Sequence, residues 1–531
     1  MMHRRAFVSM IGGASLMGRS LLHAGDAQSD AGAKILLASL PSAVPLPEVV
    51  LFSFDNRAFP FQNHVETRLI PGDNPRVVLR HGPPGSHDEV LPFYGTVIRI
   101  ENTFHMWYCG NYGPLPDPNF YELKNYVLCY ATSKDGVSWE KPALGLVEYN
   151  GSRNNNICEL DEPTFYASCA VLYEPEDPDP NRRFKLAYEA GVPVRAEDLG
   201  HHPRMRLYVA FSSDGLRWKR SPKNPVGPFQ EMTCVTKFRG LYYVNGHVES
   251  NAHSLVGGRR LDTFVSEDFE LWSPCSALGL DRTPDLAGPS TVGRGKKSEG
   301  EQIHMGAALW NRGNVLIGIY GQWHGHFSGD RRLAVIDLGL ALSHDALHFY
   351  EPIPGFRFIE AQETPESTKG VFPALMQGQG MENFGNQTLY WYSVLPVGSP
   401  QGLGTENSGV RMVTWQQDRL GMLRPFLPES PRAISCPIQA SKQGAKLFIN
   451  ASGLGQYSYL RVGLLTEGFR PIAGYSDSDA AKIGESHLRF PVRWKSSDAL
   501  PVSAGPFRID IRFEGVRPED AAFHAAYVTA S

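Results

Sequence analysis

The feature that most constrains this chain is a short phrase used four times. It reads TSKDGVSW around Asp135, SSDGLRW around Asp214, VSEDFELW around Asp268 and LSHDALHF around Asp345. Each copy has a serine two residues before the aspartate (Ser133, Ser212, Ser266, Ser343) and an aromatic ring four after it (Trp139, Trp218, Trp272, Phe349). Asp-Gly between alternating apolar runs marks a turn between antiparallel strands, because Gly accepts the positive φ and Asp bonds its own backbone. The serine hydroxyl can close the same turn, and the aromatic at the head of the next strand is placed to bury itself between neighbouring sheets.

The aspartates are 79, 54 and 77 residues apart, long for a uniform solenoid and right for a four-stranded sheet with variable loops. Three strand-like runs precede each turn, as in EMTCVTKFRG, LYYVNGHVES and RRLDTFVS of the third unit. A fifth unit, PALMQGQGMENFGNQTLYWYSVLP with GVRMVTWQQDRLGMLRP, keeps a worn trace of the turn at Thr414 and Asp418. The reading is all-β: a five-bladed β-propeller over residues 45–427. EVVLFSFDNRAF (48–59) is expected to complete the last blade, since closing the ring removes exposed sheet edges. After Pro428 the pattern becomes plain period-two alternation, as in GAKLFINASGLGQYSYLRVGLL and FRIDIRFEGV, which predicts a separate β-sandwich over 430–531.

Composition agrees: 53 Gly, 40 Pro and 11 % aromatics in 531 residues suit short strands and tight turns. A net charge of −4 supplies no basic field for nucleic acid or an anionic membrane, so neither is an expected partner. The first 30 residues, with Arg4-Arg5, Phe7 and a Gly-rich apolar run ending near Ala24 to Ala27, look like a twin-arginine export signal. The mature chain is therefore expected outside the cytoplasm, periplasmic or extracellular. Seven cysteines (Cys109, Cys129, Cys158, Cys169, Cys234, Cys275, Cys436) show no metal spacing; one pair could be oxidised after export, and the sequence does not choose it.

The chain resembles the five-bladed propeller glycoside hydrolases, the broad group around families 32, 43, 62 and 68, and more closely the exported proteins described as family-32 N-terminal-like. The resemblance is carried by the S-x-D-G-x-x-W turns, YGTVIRIENTFHMWYCG (94–110), WEKPALGLVEYNGSRNNNI (139–157), TFVSEDFELWSP (263–274) and PIAGYSDSDAAKI with FPVRWK (471–495). The WMNDPNG, RDP and EC motifs of fructan-cleaving enzymes are absent. The resemblance implies a carbohydrate partner, hydrolysis of O-glycosidic bonds, and a ligand face where first strands begin and second strands end.

Carboxylates stand near the predicted starts of first strands: Asp88 and Glu89, Asp161 and Glu162, Glu231, Glu299 and Glu301, and Glu382 in the fifth unit. Paired carboxyl groups can protonate a leaving oxygen and activate water or attack. The resemblance implies a base at Asp88 or Glu89, a modulating acid at Asp161 or Glu162, and a proton donor at Glu231, with Asp55 as rival base. Second-strand ends supply sugar-binding types: Asn111, Tyr112, Glu189, His247, Glu249, Gln322, Trp323 and His324. No cofactor is expected; a structural cation in the central channel would sit near His304 or His324. Two non-enzymatic readings stay open: a glycan-binding propeller without chemistry, and a periplasmic scaffold. Oligomeric state has no signature in the sequence.

Overall fold

A computed structural model describes residues 34–37, 40–41, 46–111, 126–162, 165–191, 205–228, 230–247, 259–282, 300–326, 334–361, 374–394, 409–440, 444–495, 497–501 and 505–530. The fold is all-β and propeller-like. The first sheet is an antiparallel meander of Val90–Ile100, Thr103–Asn111, Tyr126–Ser133 and Trp139–Glu140. The second runs Phe165–Tyr173, Phe184–Gly191, Met205–Ser212 and Arg217–Arg220, with Glu159–Leu160 added in parallel at its edge. The third runs Glu231–Phe238, Leu241–His247, Leu261–Ser266 and Ala277–Leu280. The fourth runs Gly300–Asn311, Leu316–Gly325 and Val335–Ser343, from which single bridges reach Tyr350 and Ile359.

The fifth meander, Leu375–Phe384, Gln387–Val394 and Gly409–Gln416, is completed by Asp73–Arg80 from the N-terminal side. An N-terminal strand does join the last sheet, but it is not the predicted 48–59. Glu48–Phe52 pairs instead with Ala522–Ala530. The reason is burial: Val49 and Leu51 face one apolar cluster and Val50 and Phe52 another, so this strand needs cover on both faces. Asp73–Arg80 is mostly exposed and suits an outer edge.

The five first strands are tied in a closed ring by side chains that reach the backbone of the next strand. Thr96 donates to the Cys169 carbonyl (2.5 Å), Ser168 to that of Met232 (3.0 Å), Thr233 to that of Met305 (2.5 Å), and Gln377 to that of Gly306 (2.9 Å). Gln379 bridges in parallel to Thr96 and closes the circle. Its amide also spans the centre, donating to the carbonyls of Val171 and Val235 (3.0 Å each) and accepting from the Val235 N–H (3.0 Å). Every first strand breaks register near this level. Non-glycine residues there adopt positive φ: Phe93 (70°), Tyr94 (43°), Ser168 (68°) and Met305 (59°). Such bulges bend a strand and re-aim its side chains, and the strained residues persist because packing holds them.

The repeated phrase forms the same turn four times. In the first copy Ser133 donates to Asp135 Oδ1 (2.9 Å) and accepts the Gly136 N–H (2.8 Å), while Asp135 Oδ1 accepts the N–H groups of Val137 and Ser138. The other three repeat it. The left-handed place is taken by Gly136 (φ 75°) and Gly215 (φ 74°), but by Phe269 (φ 70°) and Ala346 (φ 66°) in the others. Trp218, Trp272 and Phe349 are buried and Trp139 is half-buried.

Two further sheets carry the C-terminal part. One orders Ala445–Ser452, Ala522–Ala530, Gly421–Pro425 and Val65–Leu69. The other centres on Ser458–Thr466 and Phe507–Gly515, with Arg432–Ile434 pairing to Phe61–Asn63. One cluster, including Val49, Leu423, Ile449, Val462, Ile511 and Phe523, fills the space between them. Residues 48–69 thus belong with these strands rather than with the sheets of the ring.

Candidate active site

Three of the expected residues meet at the junction of the second and third sheets. Glu189 lies near the end of a second strand, Phe184–Gly191; Glu231 opens the third sheet's first strand; His247 ends its second strand, directly opposite Glu231. The pairing register explains the meeting, since in a meander the end of one strand and the start of its neighbour share an end of the sheet.

His247 is buried, and its Nε2 lies 3.1 Å from Glu231 Oε2. The Met305 N–H donates to His247 Nδ1 (3.2 Å), so the neutral ring carries its proton on Nε2, facing Glu231. Glu189 is fully buried, its Oε1 3.3 Å from Ser168 Oγ. Burial, and then the charge of Glu231, push the Glu189 carboxyl well above its ordinary range; Ser168 opposes this only in part. Both causes act in one direction, since burial and a neighbouring negative charge each disfavour the ionised form of Glu189. Glu231 is the reachable member, its side chain 24 % exposed.

The fourth sheet carries a charged cluster of its own. His324 Nδ1 lies 2.9 Å from Glu301 and its Nε2 3.1 Å from Asp337; Arg282 pairs with Glu301 (2.8 Å) and Arg357 with Asp337 (3.2 Å). Burial would lower His324, but its two carboxylate partners prevail and raise it to about 9, so it is a fixed cation. Trp323 is not an open stacking platform: it is buried, stacked on His304 and covered by the Arg259 guanidinium at 4.8 Å. Gln322 is buried too, its amide donating to Tyr320 (2.9 Å).

The remaining candidates do not join this group. Asp88 is buried in the loop before the first sheet, its side chain 3 % exposed, where it accepts from Lys141 Nζ (2.5 Å) and Tyr108 (2.9 Å). Burial would raise it, but Lys141 outweighs this and holds the carboxyl below its usual range. Glu89 accepts the Gly85 N–H (2.9 Å) in the preceding loop. Glu162 is buried, with Tyr188 donating to it (3.3 Å) and Arg220 3.8 Å away; Asp161 is exposed.

Asp55 lies at the opposite end of the sheets. It meets His344 (2.9 Å) of the fourth turn, Tyr350, and the Arg57 N–H (2.8 Å). That position sets it apart from the Glu189–Glu231–His247 group. Glu382 also moves: the fifth first strand begins at Leu375, so Glu382 lies near its far end, opposite Leu389 and 3.7 Å from Arg99. Burial raises its carboxyl. Asp418, the supposed trace of a fifth turn, is a buried hub paired with Arg312 and accepting from Asn383 (3.0 Å) and Tyr527 (2.8 Å). Tyr112, Glu249 and Glu299 lie outside the described residues.

Sequence reasoning missed Lys141, Tyr108 and Asn156, which donates to Tyr108 (2.8 Å). Lys141 and Asn156 both fall in WEKPALGLVEYNGSRNNNI, one of the phrases that carry the resemblance. Asp337 and Ser168, inside apolar strands, gave no signal. Among the described residues no group of three or more His, Cys, Asp or Glu is arranged to hold a metal ion.

No protein-family model matches the chain. Two uncharacterized proteins of Mycobacterium tuberculosis are 29 % and 28 % identical over 169 residues, 30 % of this chain. The chain spans about half the length of these relatives, 47 %. Among solved structures it is similar to a glycoside hydrolase (13 % identity, TM-score 0.39, 65 % of this chain and 92 % of that one). It is similar also to the Bombyx mori GH32 β-fructofuranosidase (13 %, 0.38, 86 % and 94 %) and to a glycosyl hydrolase from Bacteroides ovatus (13 %, 0.38, 67 % and 98 %).

Proposed function

We propose that this protein is an exported glycoside hydrolase. Its frame is a five-bladed β-propeller closed by Asp73–Arg80, carrying a β-sandwich to which residues 48–69 contribute strands. Glu231 donates the proton to the glycosidic oxygen. Glu189, buried beside it, has its carboxyl raised by burial and by the charge of Glu231, and His247, its Nε2 3.1 Å away, orients the Glu231 carboxyl. Asp88 lies apart from that group; kept ionised by Lys141, as a base or nucleophile must be, it is the second carboxylate this reading requires. The observation that carries the reading is the Glu189–Glu231–His247 group: a raised carboxyl, a reachable carboxyl and an oriented imidazole at one end of the ring.

A second reading, a glycan-binding propeller without turnover, is favoured by the burial of Asp88 under Lys141. A panel of natural glycans separates the two. Glu231→Gln should lower release of reducing sugar by roughly 10²–10⁴-fold, and Asp88→Asn should abolish it. Equal rates in wild type and Glu231→Gln would remove the acid assignment, whereas glycan binding without any release by wild type would favour the second reading.

A further inference from the structure

The cysteine pair left open by the sequence is picked out by geometry. Cys109 lies near the end of Thr103–Asn111 in the first sheet, and Cys169 follows the left-handed Ser168 in the second sheet's first strand. Their sulfurs are 3.2 Å apart and both residues are buried. The two strands are already held together here, since Thr96 donates to the Cys169 carbonyl and accepts the Val171 N–H (3.0 Å). Cys129 and Cys158 lie nearby, but among the described residues neither has a sulfur contact of this kind with another cysteine.

We propose that Cys109 and Cys169 form a disulfide in the exported protein, stapling the first sheet to the second beside Glu189. The sulfurs must close by roughly 1 Å to reach bonding distance. Each thiol gives up its hydrogen and one S–S bond forms. The two electrons and two protons pass to a disulfide-bearing oxidant, an oxidoreductase or a small disulfide, which becomes two thiols. Burial pushes the Cys169 thiol up, so thiolate is scarce in the finished fold and oxidation there is slow. The bond would close a loop between residues 60 apart in the chain. Ser168, whose Oγ lies 3.3 Å from Glu189 Oε1, directly precedes Cys169, so the staple also fixes the strand that packs Ser168 against Glu189.

The test uses the full chain, unfolded and refolded in a glutathione redox buffer, then alkylated under denaturing conditions without reductant and digested. The expected result is a Cys109–Cys169 linked peptide, with Cys129, Cys158, Cys234 and Cys436 alkylated. Protein refolded under reductant should melt about 5 °C lower, and Cys169→Ala refolded in the redox buffer should match that lower value. Full alkylation of both cysteines, or a linked peptide joining a different pair, overturns the proposal. The mapping needs no variant and no activity, so its result is independent of the glycosidase reading.

Discussion

At the residue scale, the buried titratable groups make opposite demands on pH. Glu189 is raised above its ordinary 4.5. Its contribution to stability is therefore complete below that value and is lost as pH rises through the folded one. Glu189→Gln keeps the shape and removes the titration. Melting temperatures measured from about pH 4 to about pH 8 should shift in favour of Glu189→Gln as pH rises. Parallel curves would mean that the carboxyl is not protonated in the fold. His524 has the reverse sign. Burial, then Arg419, lower it from 6.5 to about 4, and its ring bonds the Gly421 carbonyl and Ser452. Its contribution is present above 6.5 and lost as pH falls toward 4, in total about 3 kcal/mol. His524→Gln should flatten the acid side of the stability profile and leave the neutral side unchanged in slope.

At the scale of single elements, the four turns show what a local signal can carry. Ser, Asp and the left-handed residue lie within four positions of one another, so turn and hydrogen bonds were legible together. The occupant of the left-handed place depends on its surroundings. A Cβ on Gly136 would stand 2.8 Å from Trp391 Cζ2 and 3.1 Å from Leu389 Cδ1. Gly136→Ala should cost roughly 2–3 kcal/mol from strain and overpacking. At the equivalent Ala346 the methyl is buried in contact. Ala346→Gly relieves roughly 1–2 kcal/mol of left-handed strain but loses about 0.8 kcal/mol of methyl burial and loosens the unfolded chain. It should therefore stay within about 1 kcal/mol of wild type in chemical denaturation. The bulges at Phe93, Ser168 and Met305 had no such signature, because they serve contacts with strands far away in sequence. The meeting of Glu231 and His247 at one end of the third sheet follows from the repeat, because one opens a strand and the other closes its neighbour. Asp55 and Glu382 were misplaced because the strands holding them were assigned to the wrong place or the wrong start.

At the scale of the whole molecule, the sequence changes pattern at Pro428, whereas the packing joins strands from both sides of that point. Strand Glu48–Phe52 presents Val50 and Phe52 to a cluster that also contains Ile317, Ile319, Tyr390, Trp415, Ala525 and Tyr527. The C-terminal strand therefore helps cover the fourth and fifth sheets of the ring. Tyr527 also donates to Asp418, which pairs with Arg312, so a buried ion pair depends on the last strand of the chain. A chain ending at residue 427 loses Ala522–Ala530, leaves Glu48–Phe52 without its neighbour and exposes this apolar face. Asp418 and Arg312 would stay paired but half-solvated. Such a chain should aggregate, or bind a hydrophobic dye and melt without a cooperative transition. Asp418→Asn in the full chain should cost about 3–5 kcal/mol, because it leaves the Arg312 charge buried without its partner. A soluble, cooperatively melting chain of residues 1–427 would show instead that the ring is stable without the C-terminal sheets, and that the shared cluster is dispensable to it.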